Sequence, residues 1–219
     1  MDDQEYISLY HELTRTAMYS LFGKFTENPK MILTESDLKC WLFRELYNVI
    51  ESEGHKNLSV HTEVTHYFKA EERKNKRFRD LTILDSQNLY LNEDLWENNN
   101  YGDYTLNKGF KHRGPAMHFE LKLIRQGLLG STDVKLDTSD INNLNNVDIN
   151  NRAYTIVWGS KNEKFDIEKL KETLLISFHG FNRIKLVEND LLRFYLFDTN
   201  TLRAYKLDDE KNLLEINKI

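Results

Sequence analysis

The sequence predicts an α/β protein with a mixed central sheet flanked by helices, an N-terminal helix and a C-terminal β-hairpin. Three observations lead there. Apolar residues recur at helical spacing through the first fifty or so positions, the period drops to two from about residue 58, and a helical pattern returns before two short alternating segments near the end.

The elements follow in order. Tyr6, Tyr10, Leu13, Ala17 and Leu21 form one apolar stripe, which predicts an amphipathic helix over 4–22. Thr34 and Asp37 have capping-box spacing, with aspartate in place of the usual Glu or Gln, and start a second helix that runs to about Glu53 and stops at Gly54. Strands are expected over 58–68, 77–84 and 116–124, where β-branched and aromatic residues alternate with polar ones. The polar, asparagine-rich region 131–152 offers only a weak helix. A buried strand (153–160), a helix (166–178) and a terminal hairpin joined by Thr199, Asn200 and Thr201 complete the chain.

A length of 219 residues with 40% hydrophobic content suits one substantial core, so a single domain over 1–219 is expected. Its core would span about 34–160, with the N-terminal helix before it and a C-terminal extension at 161–219. The longest apolar runs fall far short of the roughly 20 residues that cross a bilayer, so no membrane association is expected. The acidic start, with Asp2, Asp3 and Glu5, lacks the features of a secretory signal, and a cytoplasmic protein is expected. Cys40 is the single cysteine, which excludes an intrachain disulfide and a cysteine-based zinc site.

The net charge of -5 argues against a protein that coats nucleic acid by bulk electrostatics. A local basic groove remains compatible with it. Segment 69–79 holds six basic residues against two acidic ones, and Lys108, Lys111, His112 and Arg113 form a second basic group.

The chemistry concentrates on two strands. Asp80 stands at an apolar strand, and Glu120 stands two positions before Lys122 on another. Residues i and i+2 leave a strand on one side, so Glu120 and Lys122 emerge together. Two carboxylates converging from neighbouring strands offer hard oxygens to Mg²⁺ or Mn²⁺, which would polarise a phosphate and acidify a bound water that the lysine orients or helps deprotonate. His118 shares their face and reads foremost as a hydrogen-bonded structural residue, with contact to a phosphate or second metal as the alternative. Glu63, sharing a face of the first strand with His61, stands where it could approach the metal from next door.

The order of an acidic helix, then RFRD ending at Asp80, then FELK with Glu120 and Lys122, then the strand AYTIVW, resembles the PD-(D/E)XK nuclease superfamily, the restriction-endonuclease-like fold. The resemblance covers about residues 34–160. It departs where Arg79, not proline, precedes Asp80, and the 40-residue gap from Asp80 to Glu120 implies an inserted loop. It implies an α-β-β-β-α-β core and metal-dependent cleavage of phosphodiester bonds, with Asp80, Glu120 and Lys122 catalytic.

Many members of that superfamily add a glutamate from the helix before the sheet. Glu35, Leu38, Leu42, Glu45 and Val49 fall within roughly 80° of one another at about 100° per residue. The favoured residue is Glu45, whose segment RELYNVIESEG resembles the equivalent stretch of resolvase-like relatives; Glu35 is the alternative, and its simpler role is to favour the helix N-terminus. Lys74, Lys76, Arg77, Arg79, Lys111, Arg113 and Arg125 are candidate phosphate contacts. The aromatic residues of 85–115, Trp96, Tyr101, Tyr104 and Phe110, form either a base-stacking surface or a plain surface insertion.

These features together imply a DNA endonuclease of a defence, restriction or mobile-element system, acting as a homodimer or with a partner subunit. The alternatives are an RNA endonuclease and a non-catalytic nucleic-acid- or protein-binding module on the same fold.

Overall fold

Asp2 starts the first helix by accepting the backbone N–H of Glu5 at 2.9 Å, while the Glu5 carboxylate accepts the N–H of Asp2 at 2.7 Å. The reciprocal cap satisfies two donors that a helix start leaves without partners. In the computed structural model helix α1 runs over Asp3–Glu27. It outlasts the expected 4–22 because the buried stripe continues through Phe22 and Phe25. The structure describes residues 1–67, 76–91, 110–112, 115–124, 151–159, 192–198, 202–207 and 213–216.

A short 3-10 turn, Pro29–Met31, leads to helix α2, Glu35–Ser52. Thr34 accepts the N–H of Asp37 at 3.0 Å and Asp37 accepts the N–H of Thr34 at 2.8 Å, the box that the spacing predicts. The chain leaves the helix through Gly54 at φ +76°, a backbone angle that strains any residue with a Cβ. Leu38, Leu42, Leu46 and Ile50 of α2 share one core with Leu13, Ala17 and Leu21 of α1 and with Leu81, Ile83, Met117, Phe119 and Leu121 of the sheet. Burying each large apolar side chain of that set contributes roughly 1.5–3 kcal/mol before the entropy of ordering is subtracted.

The strands are β1 (Leu58–Tyr67), β2 (Lys76–Asp85), β3 (Leu89–Leu91), β4 (Phe110–His112), β5 (Ala116–Ile124), β6 (Asn151–Gly159), β7 (Leu192–Asp198), β8 (Arg203–Leu207) and β9 (Leu213–Ile216). Seven of them form a mixed sheet in the order β1-β2-β5-β6-β7-β8-β9, and β3 and β4 pair separately within the insertion after β2. β1 pairs antiparallel with β2 and β2 antiparallel with β5, β6 and β7 continue parallel to β5, and β8 and β9 each pair antiparallel with the strand before. The predicted hairpin appears as β7 and β8, with Leu202 at φ +55° in its turn. It is not an appendage, since β7 pairs directly with β6 and a further strand, β9, extends the same sheet. The helices expected near 140 and at 166–178 and the aromatic residues Trp96, Tyr101 and Tyr104 lie outside the described residues. Among the described residues no helix is long and apolar enough to cross a membrane.

The first turns of α1 tie β2 to β5 at one end. The Tyr6 hydroxyl donates to Asp85 Oδ2 at 2.5 Å, at the end of β2, and the Tyr10 hydroxyl donates to the carbonyl of Pro115 at 3.2 Å, just before β5. Burial first, and then the Asp85 charge, push the Tyr10 phenol far above its usual pKa, so it remains a donor.

The α2 cap sits immediately before the part of the helix that reaches the sheet edge. Thr34→Ala is expected to lower unfolding stability by about 1 kcal/mol, read as a shift in urea midpoint at unchanged slope.

Candidate active site

The β2–β5 ladder pairs Leu84 with Ala116, Ile83 with Met117, Thr82 with His118 and Leu81 with Phe119, and ends there. Asp80 and Glu120 are the residues that directly follow this last pair on their two strands, and no strand pair joins them. The two principal carboxylates of the sequence reading thus both stand where the strands separate.

Separation leaves β5 amides without a strand partner. The Leu121 N–H points toward β2 and donates to Asp80 Oδ2 at 2.9 Å, while the Leu123 N–H, one strand repeat further on, donates to Glu35 Oε2 at 3.2 Å. Each carboxylate thus has one oxygen fastened to the backbone of the same strand by a charge-assisted hydrogen bond. The helix residue that reaches the sheet is Glu35, the alternative in the sequence reading.

Glu45, the favoured candidate, is directed elsewhere. It is 2% exposed, and Lys24 Nζ lies 2.6 Å from both of its oxygens, with the Ser20 hydroxyl donating at 2.6 Å to Oε2. At this level α2 meets α1, whereas Glu35 at the helix start meets β5. Glu45 is therefore a compensated buried charge between two helices.

A residue the sequence reading did not single out completes the group. Lys39, one helical turn after Glu35, places its Nζ 3.1 Å from Asp80 Oδ1 and 2.5 Å from Glu63 Oε1. Burial alone would lower its pKa, but the hydrogen bonds and charges of Glu63 and Asp80 outweigh that effect and hold the ammonium above the ordinary lysine value. The helical signal was present, since Lys39 is four positions from Glu35 on the same stripe. Glu63 has φ +55° in the middle of β1, at the position that the β1–β2 ladder skips between the Thr62–Leu81 and Val64–Arg79 pairs. A non-glycine residue held in that region costs about 1–3 kcal/mol, and its carboxylate meets Lys39 beside Asp80.

The other candidates divide. Glu120 is buried, 8% exposed, on the strand that carries the two amides. Lys122 lies in β5 paired with Val157 of β6, Lys76 and Arg77 lie in β2 paired with Tyr67 and His66, and Lys111 lies in β4 paired with Tyr90; their side chains lie outside the described residues. So do Lys74, Arg113 and Arg125 entirely. Arg79 corrects the expectation of a phosphate contact, because its side chain is fully buried in the set that includes Leu81 and offers no surface to a ligand. His118 is buried with its Nδ1 3.0 Å from the Thr82 hydroxyl, in keeping with a structural histidine.

Among the described residues, no group of three or more His, Cys, Asp or Glu side chains is placed to hold a metal ion. Mg²⁺ does not require such a cage, since it keeps several waters and takes one or two carboxylates plus phosphate oxygens. Asp80 Oδ1 already faces a cationic group, and Glu35 is anchored on the strand that carries Glu120, so the donors present are carboxylate oxygens, the kind that a hard cation takes. Cys40 is exposed and is the single cysteine of the chain, so no zinc site can be built from cysteines. No protein-family model, curated protein or solved structure matches the chain.

Two outcomes follow from these contacts. Lys24→Met leaves the Glu45 carboxylate buried with only a hydroxyl, and should cost about 2–3 kcal/mol in urea unfolding, discounted from a fully buried pair because Lys24 is partly exposed; adding Glu45→Leu should restore most of it. His61, whose pKa is lowered by burial, contributes stability that is complete above the unfolded value of about 6.5 and is lost as pH falls through the lower folded value. The thermal midpoint should fall between about pH 7 and 5, less steeply in His61→Gln.

Proposed function

We propose that this protein is a divalent-metal-dependent nuclease of the PD-(D/E)XK type, hydrolysing phosphodiester bonds of DNA in a defence, restriction or mobile-element system. The observation that carries the reading is that Asp80 and Glu120 directly follow the last pair of the β2–β5 ladder, where Asp80 is fastened to the Leu121 amide, with Lys122 two residues on from Glu120. The strand order supports it as well. The order α2, β1, β2, β5, with β6 next in the same sheet, is compatible with the α-β-β-β-α-β core that the resemblance implies.

Asp80 and Glu120, with Glu35, would hold Mg²⁺ or Mn²⁺. Once bound, the ion supplies charge to offset that developing on the phosphate and lowers the pKa of a water. The remaining work belongs to the chain. The Leu121 and Leu123 amides fix the orientation of Asp80 and Glu35, so the carboxylates do not reorganise when substrate arrives. Lys122 follows Glu120 on one strand face, where its ammonium orients the attacking water or assists its deprotonation. Lys74, Lys76, Arg77, Lys111, Arg113 and Arg125 contact phosphates on either side of the cut and so set position without reading sequence.

One observation favours a second reading. Asp80 already has a protein counter-ion in Lys39, as expected for a non-catalytic module that uses the fold only to bind nucleic acid or another protein.

Purified protein is incubated with plasmid, linear and single-stranded DNA and with RNA, in Mg²⁺ or Mn²⁺, beside Asp80→Ala and Lys122→Ala. Metal-dependent cutting of DNA that each substitution reduces roughly a hundredfold or more is expected. Cutting of RNA alone would shift the substrate while keeping the chemistry. No cutting of any substrate, or cutting that survives both substitutions, would overturn the reading in favour of the binding module.

A further inference from the structure

The ammonium of Lys39 lies where a cation serving Asp80 would lie. It contacts Asp80 Oδ1, the oxygen left over after Oδ2 is fastened to the Leu121 amide, and it is shared with Glu63. Lys39 and Asp80 are both largely shielded from solvent, with side chains 20% and 17% exposed, so the pair is only weakly screened. The second observation is independent of the first. Glu63 keeps a left-handed backbone in the middle of a strand whose pairing count is continuous on both sides, and Leu202, the other described non-glycine residue with positive φ, lies in a turn. Strain of that kind persists only where the surroundings impose it, and Glu63 meets the Lys39 ammonium there.

A unit positive charge that contacts one oxygen of Asp80 has two consequences for a divalent cation at the same carboxylate. It occupies a coordination position, and it repels the incoming ion. For the metal to take Oδ1, the ammonium has to withdraw from Asp80, and Glu63 offers a nearby carboxylate on which it can remain.

We infer that Lys39 is the internal counter-ion of the site: it holds Asp80 until a divalent cation binds, competes with that cation for Oδ1, and is received by Glu63 when displaced, so that it sets the metal affinity of the protein. Lys39 is a positioning residue in this scheme. The inference rests on the nuclease reading in one respect, that Asp80 is a metal ligand.

The test is a titration of the full chain with Mn²⁺, following free ion by electron paramagnetic resonance, for wild type, Lys39→Met, Lys39→Gln and Asp80→Asn. Removal of the competing charge should tighten Mn²⁺ binding about tenfold in both Lys39 variants, and Asp80→Asn should remove the site. The Lys39 variants should also melt below wild type without metal, since Asp80 and Glu63 lose their shared cation, and regain the difference in saturating Mn²⁺. Lys39→Gln keeps a hydrogen-bond donor and carries the test if Lys39→Met does not fold. Binding in the folded Lys39 variants equal to or weaker than in wild type overturns the inference and leaves the nuclease reading standing, provided that wild type binds through Asp80. Absence of Mn²⁺ binding in folded wild type and Lys39 variants alike overturns both.

Discussion

The separation of β2 from β5 after Leu81 and Phe119 is the constraint on which the site depends. Two amides of β5 would otherwise face the lost strand without acceptors, and a buried N–H left unsatisfied costs about 1–3 kcal/mol. Asp80 and Glu35 supply those acceptors, from the strand that leaves and from the helix that lies near. The same two hydrogen bonds that meet this backbone requirement fix the orientation of both carboxylates. Separation elsewhere in the sheet would gather different residues.

The helical layer determines where separation occurs. At the other end of the same strand pair, Tyr6 and Tyr10 bind the end of β2 and the approach to β5, and Leu81, Ile83, Met117 and Phe119 pack in the core with both helices. That end is closed by apolar packing and by two phenol hydrogen bonds. The end at Asp80 carries charged residues, which burial would penalise unless each had a partner. Glu45 shows the same rule inside the helical layer, where Lys24 and Ser20 neutralise a carboxylate that would otherwise destabilise the α1–α2 contact.

Charge at the open end is partly compensated within the protein. Asp80 and Glu63 share Lys39, the Asp80 contact being the more shielded from solvent of the two. In the proposed scheme a divalent ion would compete with the lysine for this triad, which would link the stability of the site to its capacity to bind.

Much of the secondary structure was determined locally. The Thr34–Asp37 box, the stop at Gly54 and the period-two segments locate α2, β1, β2, β5 and β6 to within a few residues, because caps and alternation depend on neighbours along the chain. That Glu120 and Lys122 share a strand was legible for a related reason, since alternation along β5 sets which side chains emerge together. Only the tertiary structure decided that Glu35 reaches the sheet while Glu45 meets α1, that Lys39 joins the acidic pair, that Arg79 is buried, and that the C-terminal strands complete the central sheet. A helical stripe reports that a residue faces inward and is silent on which element it meets there, because that depends on the separation and angle of elements distant in sequence.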